Sequence, residues 1–483
     1  MRKEFYITTP IYYVNDKPHV GHAYTNVATD AIARWRRAQG DDVFFLTGTD
    51  EHGTKNQRSA EKVGEETQGF VDKIADKFKD LKEVLDLSWD FFIRTSDKEI
   101  HWPGAQALWK KLEEVGDIYW KDYEGFYCVG CEAFVTEKDL VDDVCPDHKT
   151  KPELIKEKNL YFKLSKYSKQ IEKAIETGEL NVQPETRRNE ILAFIRGGLE
   201  DVSFSRPKDK LKWGVPVPDH EDQVMYVWCD ALSNYISAIG YGRDEKEFNK
   251  WWPADVHVIG KDILRFHAAI WPGMLLSAGL PLPKSIFVHG FITSEGEKMS
   301  KTIGNVIDPF EVVEEFGSDA FRYYLLREIP SDEDGDFSID KFKERYNADL
   351  ANGLGNFASR VTTLAEKAEG LAGLLVDEEI QNKITETAIS AAKEAERFKL
   401  HEVTAKIWAL IKFGDGYINK HKPWETDDAQ VIFNLLALLD AIASFASPIV
   451  PKAAGIIQKS IKKEDGKIIG AQKVVNLFPR LDA

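Results

Sequence analysis

Short apolar runs alternate with longer segments of helical period along the first part of the chain. Phe5-Tyr6-Ile7-Thr8 is a β-type run, and the pattern predicts a strand ending at Pro10, whose missing N–H interrupts a ladder. Asn15-Asp16-Lys17-Pro18 reads as a turn. From residue 20 to 39 the apolar Val20, Ala23, Val27, Ala31 and Trp35 fall near one helix face, and Gly40 closes the segment. Val43-Phe44-Phe45-Leu46 follows as a second strand. Strand, helix and strand in this order form a βαβ unit, which requires a parallel sheet. The alternation returns late: Val256-His257-Val258-Ile259, a helix over residues 261–277, and Ile286-Phe287-Val288. Two such halves flank residues 116–226, so the predicted architecture is an α/β doubly wound parallel sheet with an insertion between its halves. Past residue 345 Ala, Leu and Ile recur at helical spacing, with Trp408, Phe413, Phe433 and Phe445 as apolar markers, and an all-α helical bundle is expected. The joint, residues 330–340, is acidic and turn-rich.

Composition narrows the class. A chain of 483 residues suggests several domains, and 11% aromatic residues exclude disorder as the main state. Four cysteines are too few for a secreted disulfide scaffold. The most apolar stretch, residues 432–450, is broken by Asn434, Asp440 and Pro448, so no membrane span is expected. Met1-Arg2-Lys3-Glu4 leads straight into the first strand, which leaves no room for a targeting peptide, and a cytoplasmic location is expected. The net charge of −16 is not the usual footprint of a nucleic-acid binder. It is unevenly placed, however: residues 346–483 sum to −1 and residues 1–345 to −15. The C-terminal part is therefore the less repulsive surface for RNA.

Three motifs carry chemistry. His19-Val20-Gly21-His22 stands at the start of the first helix, where unpaired N–H groups and the dipole favour anions. Its histidines can donate to phosphate, and Gly21 lets a ligand approach the backbone; helix-capping histidines are the plainer alternative. Lys298-Met299-Ser300-Lys301-Thr302 lies on a loop bordered by Gly290, Gly296 and Gly304, suited to clamping polyphosphate, or else a solvated basic turn. Cys128-x2-Cys131-x13-Cys145-x2-His148 has the spacing of a tetrahedral zinc site, and four protein ligands imply one closed, structural zinc. Reduced free thiols are the alternative there.

HVGH early and KMSK late, each on a βα unit, resemble the HIGH and KMSKS signatures of the class I aminoacyl-tRNA synthetases. The chain is similar to the methionyl-tRNA synthetases in particular. The shared stretches are Thr8-Thr9-Pro10-Ile11-Tyr12-Tyr13-Val14-Asn15, Gly48-Thr49-Asp50-Glu51-His52-Gly53, Val227-Trp228-Cys229-Asp230-Ala231-Leu232-Ser233-Asn234-Tyr235 and Gly260-Lys261-Asp262-Ile263. The resemblance spans essentially the whole chain. It implies a Rossmann-like catalytic domain in two parts, residues 1–115 and 227–295. A zinc-knuckle connective domain over 116–226, a KMSKS linking region over 296–345 and a helical anticodon-binding domain over 346–483 complete the plan.

The implied activity is methionine–tRNA ligation: ATP and L-methionine give methionyl-adenylate and pyrophosphate, and the 3′ end of tRNA(Met) takes the methionine. His19, Gly21, His22, Asp262, Lys298, Ser300, Lys301 and Thr302 would bind ATP with Mg²⁺; His19, His22, Lys298 and Lys301 are the catalytic set. Ile11, Tyr13, Asp50, Trp228, Tyr235, Ile263 and His267 would bind methionine. A thioether suits an aromatic, apolar pocket, with a weak donor to tell it from a methylene. The family faces the sulfur with the tyrosine matching Tyr235 and the backbone at Ile11, and holds the α-amino group with the carboxylate matching Asp50. Core aromatics, and an N-cap role for Asp262, are the bland readings.

Asn352, Asn356 and Arg360 are four apart and so line one helix face, with Gly353 and Gly355 between them admitting another chain closely. The resemblance makes this face, together with Trp424, the reader of unstacked anticodon bases; a polar surface stripe is the alternative. The zinc knuckle would brace the insertion against the tRNA acceptor end. Leucyl, isoleucyl and valyl enzymes share the signatures but add an editing domain, for which residues 116–226 look too short. A cysteinyl enzyme would scatter its zinc ligands along the chain. A silent RNA-binding paralogue would not need HVGH, Asp50 and KMSK together, and a generic nucleotidyltransferase would not need Asn356, Arg360 and Trp424. Because the sequence ends soon after Leu477-Phe478-Pro479-Arg480, a further dimerising domain is not expected, and a monomer is.

Overall fold

The computed structural model describes residues 3–481 apart from 131–132, 136–139, 147–148 and 300–303. Contacts divide it into two compact units: Met1–Pro18, Arg36–Lys82 and Ser88–Val288 form one, and His19–Trp35, Glu83–Leu87 and His289–Ala483 the other.

The first unit is built on a six-stranded sheet. In chain order its strands are β1 (Glu4–Tyr13), β2 (Asp42–Asp50), β3 (Phe91–Arg94), β4 (Asn181–Gln183), β5 (Val256–Gly260) and β6 (Ser285–His289). Their spatial order is β3-β2-β1-β5-β6-β4. β1 pairs in parallel with β2 and β5, β2 with β3, and β6 with β4. β1 is buried along most of its length, as expected of a parallel strand covered on both faces.

The sequence pattern stops β1 at Pro10; the strand in fact runs on to Tyr13. A register shift between Thr8 and Ile11 takes up the residue that cannot donate, after which Ile11 pairs with Gly48 and Tyr13 with Asp50. The irregularity thus brings Ile11 and Tyr13 beside the end of β2. β4 comes from within residues 116–226, so that segment adds an edge strand to the central sheet. The rest of the segment includes a separate antiparallel sheet of Ala133–Val135, Ile118–Cys128, Glu153–Phe162 and Val202–Ser203. Trp109, Phe162, Tyr235 and Trp271 anchor the core of this unit, each 1% exposed or less.

The second unit is mainly helical. Asn356–Lys367, Glu378–Glu396, Leu400–His421, Ala429–Ala446 and Pro451–Ser460 pack as neighbours. Ala429–Ala446 is long and apolar enough by composition to cross a membrane, yet two-thirds of it (67%) is buried here. Its Asn434 donates to Asp377 at 2.7 Å and to the Tyr417 hydroxyl at 3.0 Å. The all-α expectation for residues 346–483 needs one correction: Ile461–Glu464 and Lys467–Ala471 form a hairpin. Asp465 and Gly466 both turn with positive φ, 48° and 76°, the geometry that Asp-Gly dipeptides favour between strands.

Arg322 ties this unit together. It is fully buried, pairs with Asp30 at 2.7 Å, and donates to the carbonyls of Leu85, Pro448 and Ile449. Asp30, also fully buried, takes a second cation, Arg34, at 2.7 Å. A buried ion pair holds only when its remaining hydrogen-bonding groups are met in this way.

Candidate active site and RNA-binding face

Within the first unit the candidate methionine residues draw together. Trp228, on the short helix Val227–Leu232, has Tyr13 against it edge-on at 6.5 Å and His267 edge-on at 6.4 Å. Its other partner is Phe266, stacked at 3.6 Å and 5°. Phe266 escaped the sequence reading because residues 261–277 are not one α-helix. Lys261–Ile263 is a 3₁₀ turn, Phe266–Ile270 a π-helix and Trp271–Ala278 an α-helix. The π segment rotates Phe266 and His267 away from where α periodicity puts them.

His267 is 2% exposed, and its Nδ1 lies 2.9 Å from the Ile263 carbonyl. A carbonyl only accepts, so Nδ1 carries the proton. Burial drives the ring's pKa down to about 4, against a weaker upward pull from the Ile263 carbonyl, so the ring is neutral at pH 7. Nε2 is then an acceptor and takes the Tyr235 O–H at 2.7 Å. Burial raises the Tyr235 pKa, which keeps that proton in place. Tyr6 Oη donates to the Tyr235 carbonyl at 2.7 Å.

Asp50 ends β2 and is 3% exposed. The backbone around it is held from several sides. Asn56 Nδ2 donates to the carbonyls of Asp50 (3.0 Å) and His52 (3.1 Å), and Trp213 Nε1 donates to that of Glu51. Glu51, fully buried, accepts from Arg94 Nε and Nη2 at 2.6 and 2.8 Å and from Thr49 at 2.7 Å. Asp262 does not cap a helix. The 3₁₀ turn follows Gly260, and Asp262 is exposed inside it.

The HVGH segment lies in the second unit. Val20–Ala38 is helical as the spacing predicts, but the first N–H groups are not left open. His19 N–H donates to His22 Nδ1 (3.2 Å), Val20 N–H to the Ile307 carbonyl (3.0 Å) and Gly21 N–H to His19 Nδ1 (3.1 Å). The two rings stack at 3.9 Å, both half-buried. Since each Nδ1 accepts, each neutral ring carries its proton on Nε2. The anion donors here are imidazole N–H groups rather than these backbone amides. A Cβ on Gly21 would sit 2.9 Å from His19 Cε1, so Gly21 makes room for the histidine ring.

Lys298 lies on the strand Glu297–Lys298, paired with Thr293 of Ile292–Ser294. Ser300, Lys301 and Thr302 lie outside the described residues. Thr25 Oγ1, on the HVGH helix, lies 2.9 Å from Nε2 of His289, the residue that closes β6.

Asn352, Asn356 and Arg360 do not share one α-helical face. Asn352 sits in the π-helix Tyr346–Gly355, and Asn356 opens the α-helix Asn356–Lys367. Both asparagines are exposed, and Trp424, in Pro423–Thr426, is 50% exposed. Arg360 donates to Asp415 (3.2 Å) and Asn419 (3.1 Å), which joins the Asn356–Arg360 segment to the helix leading to Trp424. The glycines have an internal use: a Cβ on Gly355 would meet Leu350 O at 3.0 Å and Phe478 N at 3.6 Å, and Gly353 has nothing nearer than 3.5 Å.

Cys128 and Cys145 are buried, 1% and 2% exposed, and neither is in a disulfide. Cys131 and His148 lie outside the described residues. Among the described residues no three His, Cys, Asp or Glu side chains gather as metal ligands. Two buried thiols, the second in a tight loop where Lys149 N–H returns to the Cys145 carbonyl at 2.8 Å, suit a thiolate-rich site.

Comparison with known proteins sets the class first. The family described as tRNA synthetases class I (M) matches residues 5–152 and 135–362. The methionine–tRNA ligase of Clostridium acetobutylicum is 44% identical, aligned over 100% of this chain and 79% of the relative. That of Thermotoga maritima is 43% identical over 96% and 76%. The structure of Mycobacterium tuberculosis methionyl-tRNA synthetase in complex with methionyl-adenylate superposes with a TM-score of 0.93 at 37% identity. It covers 99% of this chain and 100% of that one. Within the class I tRNA synthetases, the chain belongs to the methionyl-tRNA synthetase family.

Proposed function

We propose that this chain is a methionine–tRNA ligase: it activates methionine with ATP and transfers it to the 3′ end of tRNA(Met). The observation that carries the reading is the aromatic cluster of Tyr13, Trp228, Tyr235 and neutral His267, with the buried Asp50 on the strand beside it. The methionine carboxylate attacks the α-phosphorus, and pyrophosphate leaves. The terminal adenosine of the tRNA, through its 2′-hydroxyl in the class I manner, then attacks the adenylate carbonyl. No covalent intermediate with the enzyme is needed, so the protein acts by positioning and charge stabilisation.

Asp50 holds the α-ammonium group. The rings take the thioether, with Ile11 and Ile263 completing the pocket. Tyr235 O–H donates its hydrogen bond to His267, so the donor to sulfur falls to the backbone at Ile11. A thioether is soft and uncharged, and the neutral His267 adds no charge beside it. His19 and His22 present Nε2–H donors to the α-phosphate. Lys298 and Lys301, with Gly21, Asp262, Ser300 and Thr302, hold the rest of ATP, and Mg²⁺ accompanies it as counter-charge to the phosphates.

Cys128, Cys131, Cys145 and His148 hold one structural zinc that cross-links the insertion, which braces the acceptor end. Metal analysis of the purified protein should give one zinc per chain, and Cys145→Ser should lose it. Asn352, Asn356, Arg360 and Trp424 read the anticodon. The domain plan of residues 1–115, 116–226, 227–295, 296–345 and 346–483, a monomeric state and a cytoplasmic location belong to the same reading.

The test is ATP–pyrophosphate exchange across all twenty amino acids without tRNA. Exchange with methionine alone is expected. Exchange with a different amino acid overturns the pocket assignment, and none at all from folded protein leaves a silent RNA-binding chain.

A further inference from the structure

Behind the pocket lies a chain of buried polar groups that no step above uses. Asp230 is fully buried. His52 Nδ1 approaches its Oδ2 at 2.6 Å, and His101 Nε2 approaches its Oδ1 at 2.6 Å. The other nitrogen of His101 meets the Ser237 hydroxyl at 2.9 Å. His101 and Ser237 are fully buried too, and His52 is 1% exposed. A carboxylate only accepts, so both histidines donate to it. Burial pushes the Asp230 pKa up, but the facing histidines outweigh it and pull it down to about 2, so the group is a carboxylate at working pH.

The sequence positions give the chain its meaning. Asp50 stands two residues before His52, Trp228 two before Asp230, and Tyr235 two before Ser237. The three pocket residues come from separate segments, the end of β2 and the helices Val227–Leu232 and Asn234–Ser237. His101, which opens the helix His101–Glu114, bridges Asp230 and Ser237. Groups that must be held in productive geometry need their supports fixed by packing and hydrogen bonds.

We infer that His52, Asp230, His101 and Ser237 are positioning residues for methionine: one hydrogen-bonded chain that fixes Asp50, Trp228 and Tyr235 relative to each other. The inference rests on the pocket reading above. A mere stabilising role would lower the melting temperature and leave substrate preference alone. A positioning role separates the two substrates, because ATP contacts none of these three pocket residues in the proposed mechanism.

The experiment is pyrophosphate exchange with Asp230→Asn, which keeps the shape and removes the charge. The expected result is a KM for methionine raised about tenfold or more, with the KM for ATP within about twofold of wild type, as for a small misplacement of binding groups. An unchanged KM for methionine in folded D230N overturns the inference. If D230N does not fold, His101→Gln and Ser237→Ala decide. A methionine-specific rise in either supports the chain, and none in both overturns it. Asp50→Asn and Trp228→Ala run alongside. If these two still bind methionine normally, the pocket reading fails. If they lose it while the chain variants do not, only the present inference fails.

Discussion

Trp228, Tyr235 and His267 are each 7% exposed or less, whereas Trp424 is half in solvent and Asn352 and Asn356 are exposed. The two regions put aromatic and polar side chains to opposite use. In the proposed pocket Tyr235 donates to His267 and His267 to the Ile263 carbonyl, while Trp228 Nε1 is buried with no hydrogen-bond partner among the described residues. The cost of drying the Tyr235 and His267 rings is met when the protein folds, which suits the methionine side chain assigned to them under the proposed function. On the C-terminal face Arg360 is held, by Asp415 and Asn419, while Asn352, Asn356 and Trp424 stay open to solvent. A flexible RNA loop is better met by rings and amides that still face water, since its bases arrive unstacked. The proposed assignments therefore couple binding to stability in the pocket and separate the two on the face.

The largest effect that tests this contrast is Trp228→Ala. It removes a ring stacked on Phe266 and packed on Tyr13, and a buried tryptophan costs about 3–5 kcal/mol when truncated. Urea unfolding should show that loss, and methionine-dependent exchange should collapse with it. Trp424→Ala should do the reverse. Its unfolding midpoint and its exchange rate stay at wild type, while aminoacylation of tRNA(Met) weakens by about 1–3 kcal/mol, the worth of one base–ring stack. If W424A lowers stability as W228A does, the contrast fails.

A smaller effect is set by pH. Burial holds the folded pKa of His267 and His289 near 4 and that of His257 well below its usual value, under the ordinary 6.5 of the unfolded chain. Between those values the unfolded state binds more protons. Stability is complete above pH 6.5 and falls as pH drops toward 4, by about 1.4 kcal/mol per pH unit for each such group. Urea midpoints at pH 7 and pH 5 would measure it, and His267→Gln should make the fall shallower. Trp424→Ala should leave the slope unchanged.

Much of the frame was legible in the sequence. The β1, β2, β5 and β6 runs and the helix from Val20 stand where apolar periodicity puts them, because sheet and helix periods differ clearly over such lengths. What escaped had physical causes. β1 passes Pro10 by a register shift that propensity does not reveal. Phe266–Ile270 and Tyr346–Gly355 are π-helical, and an apolar pattern written every three or four residues is read as α. So Phe266 went unseen, and Asn352 stands in a π-helix rather than on the α-helix that carries Asn356 and Arg360. Asp465-Gly466 was a turn signal in plain view, outweighed by the helical composition around it. His52, His101 and Asp230 meet only in three dimensions; nothing local in the sequence announces a contact across so many residues.

The Asp30–Arg322 pair has a consequence for synthesis. The helix carrying His19 and His22 is made near the start of translation, yet the cation that completes its buried carboxylate is 292 residues further along. At ribosomal speeds of about 5–20 residues per second, that helix waits roughly 15–60 s for Arg322 to emerge. Until then it has only Arg34 and the solvent. The nascent chain therefore completes this buried ion pair only after about two-thirds of its residues have been made.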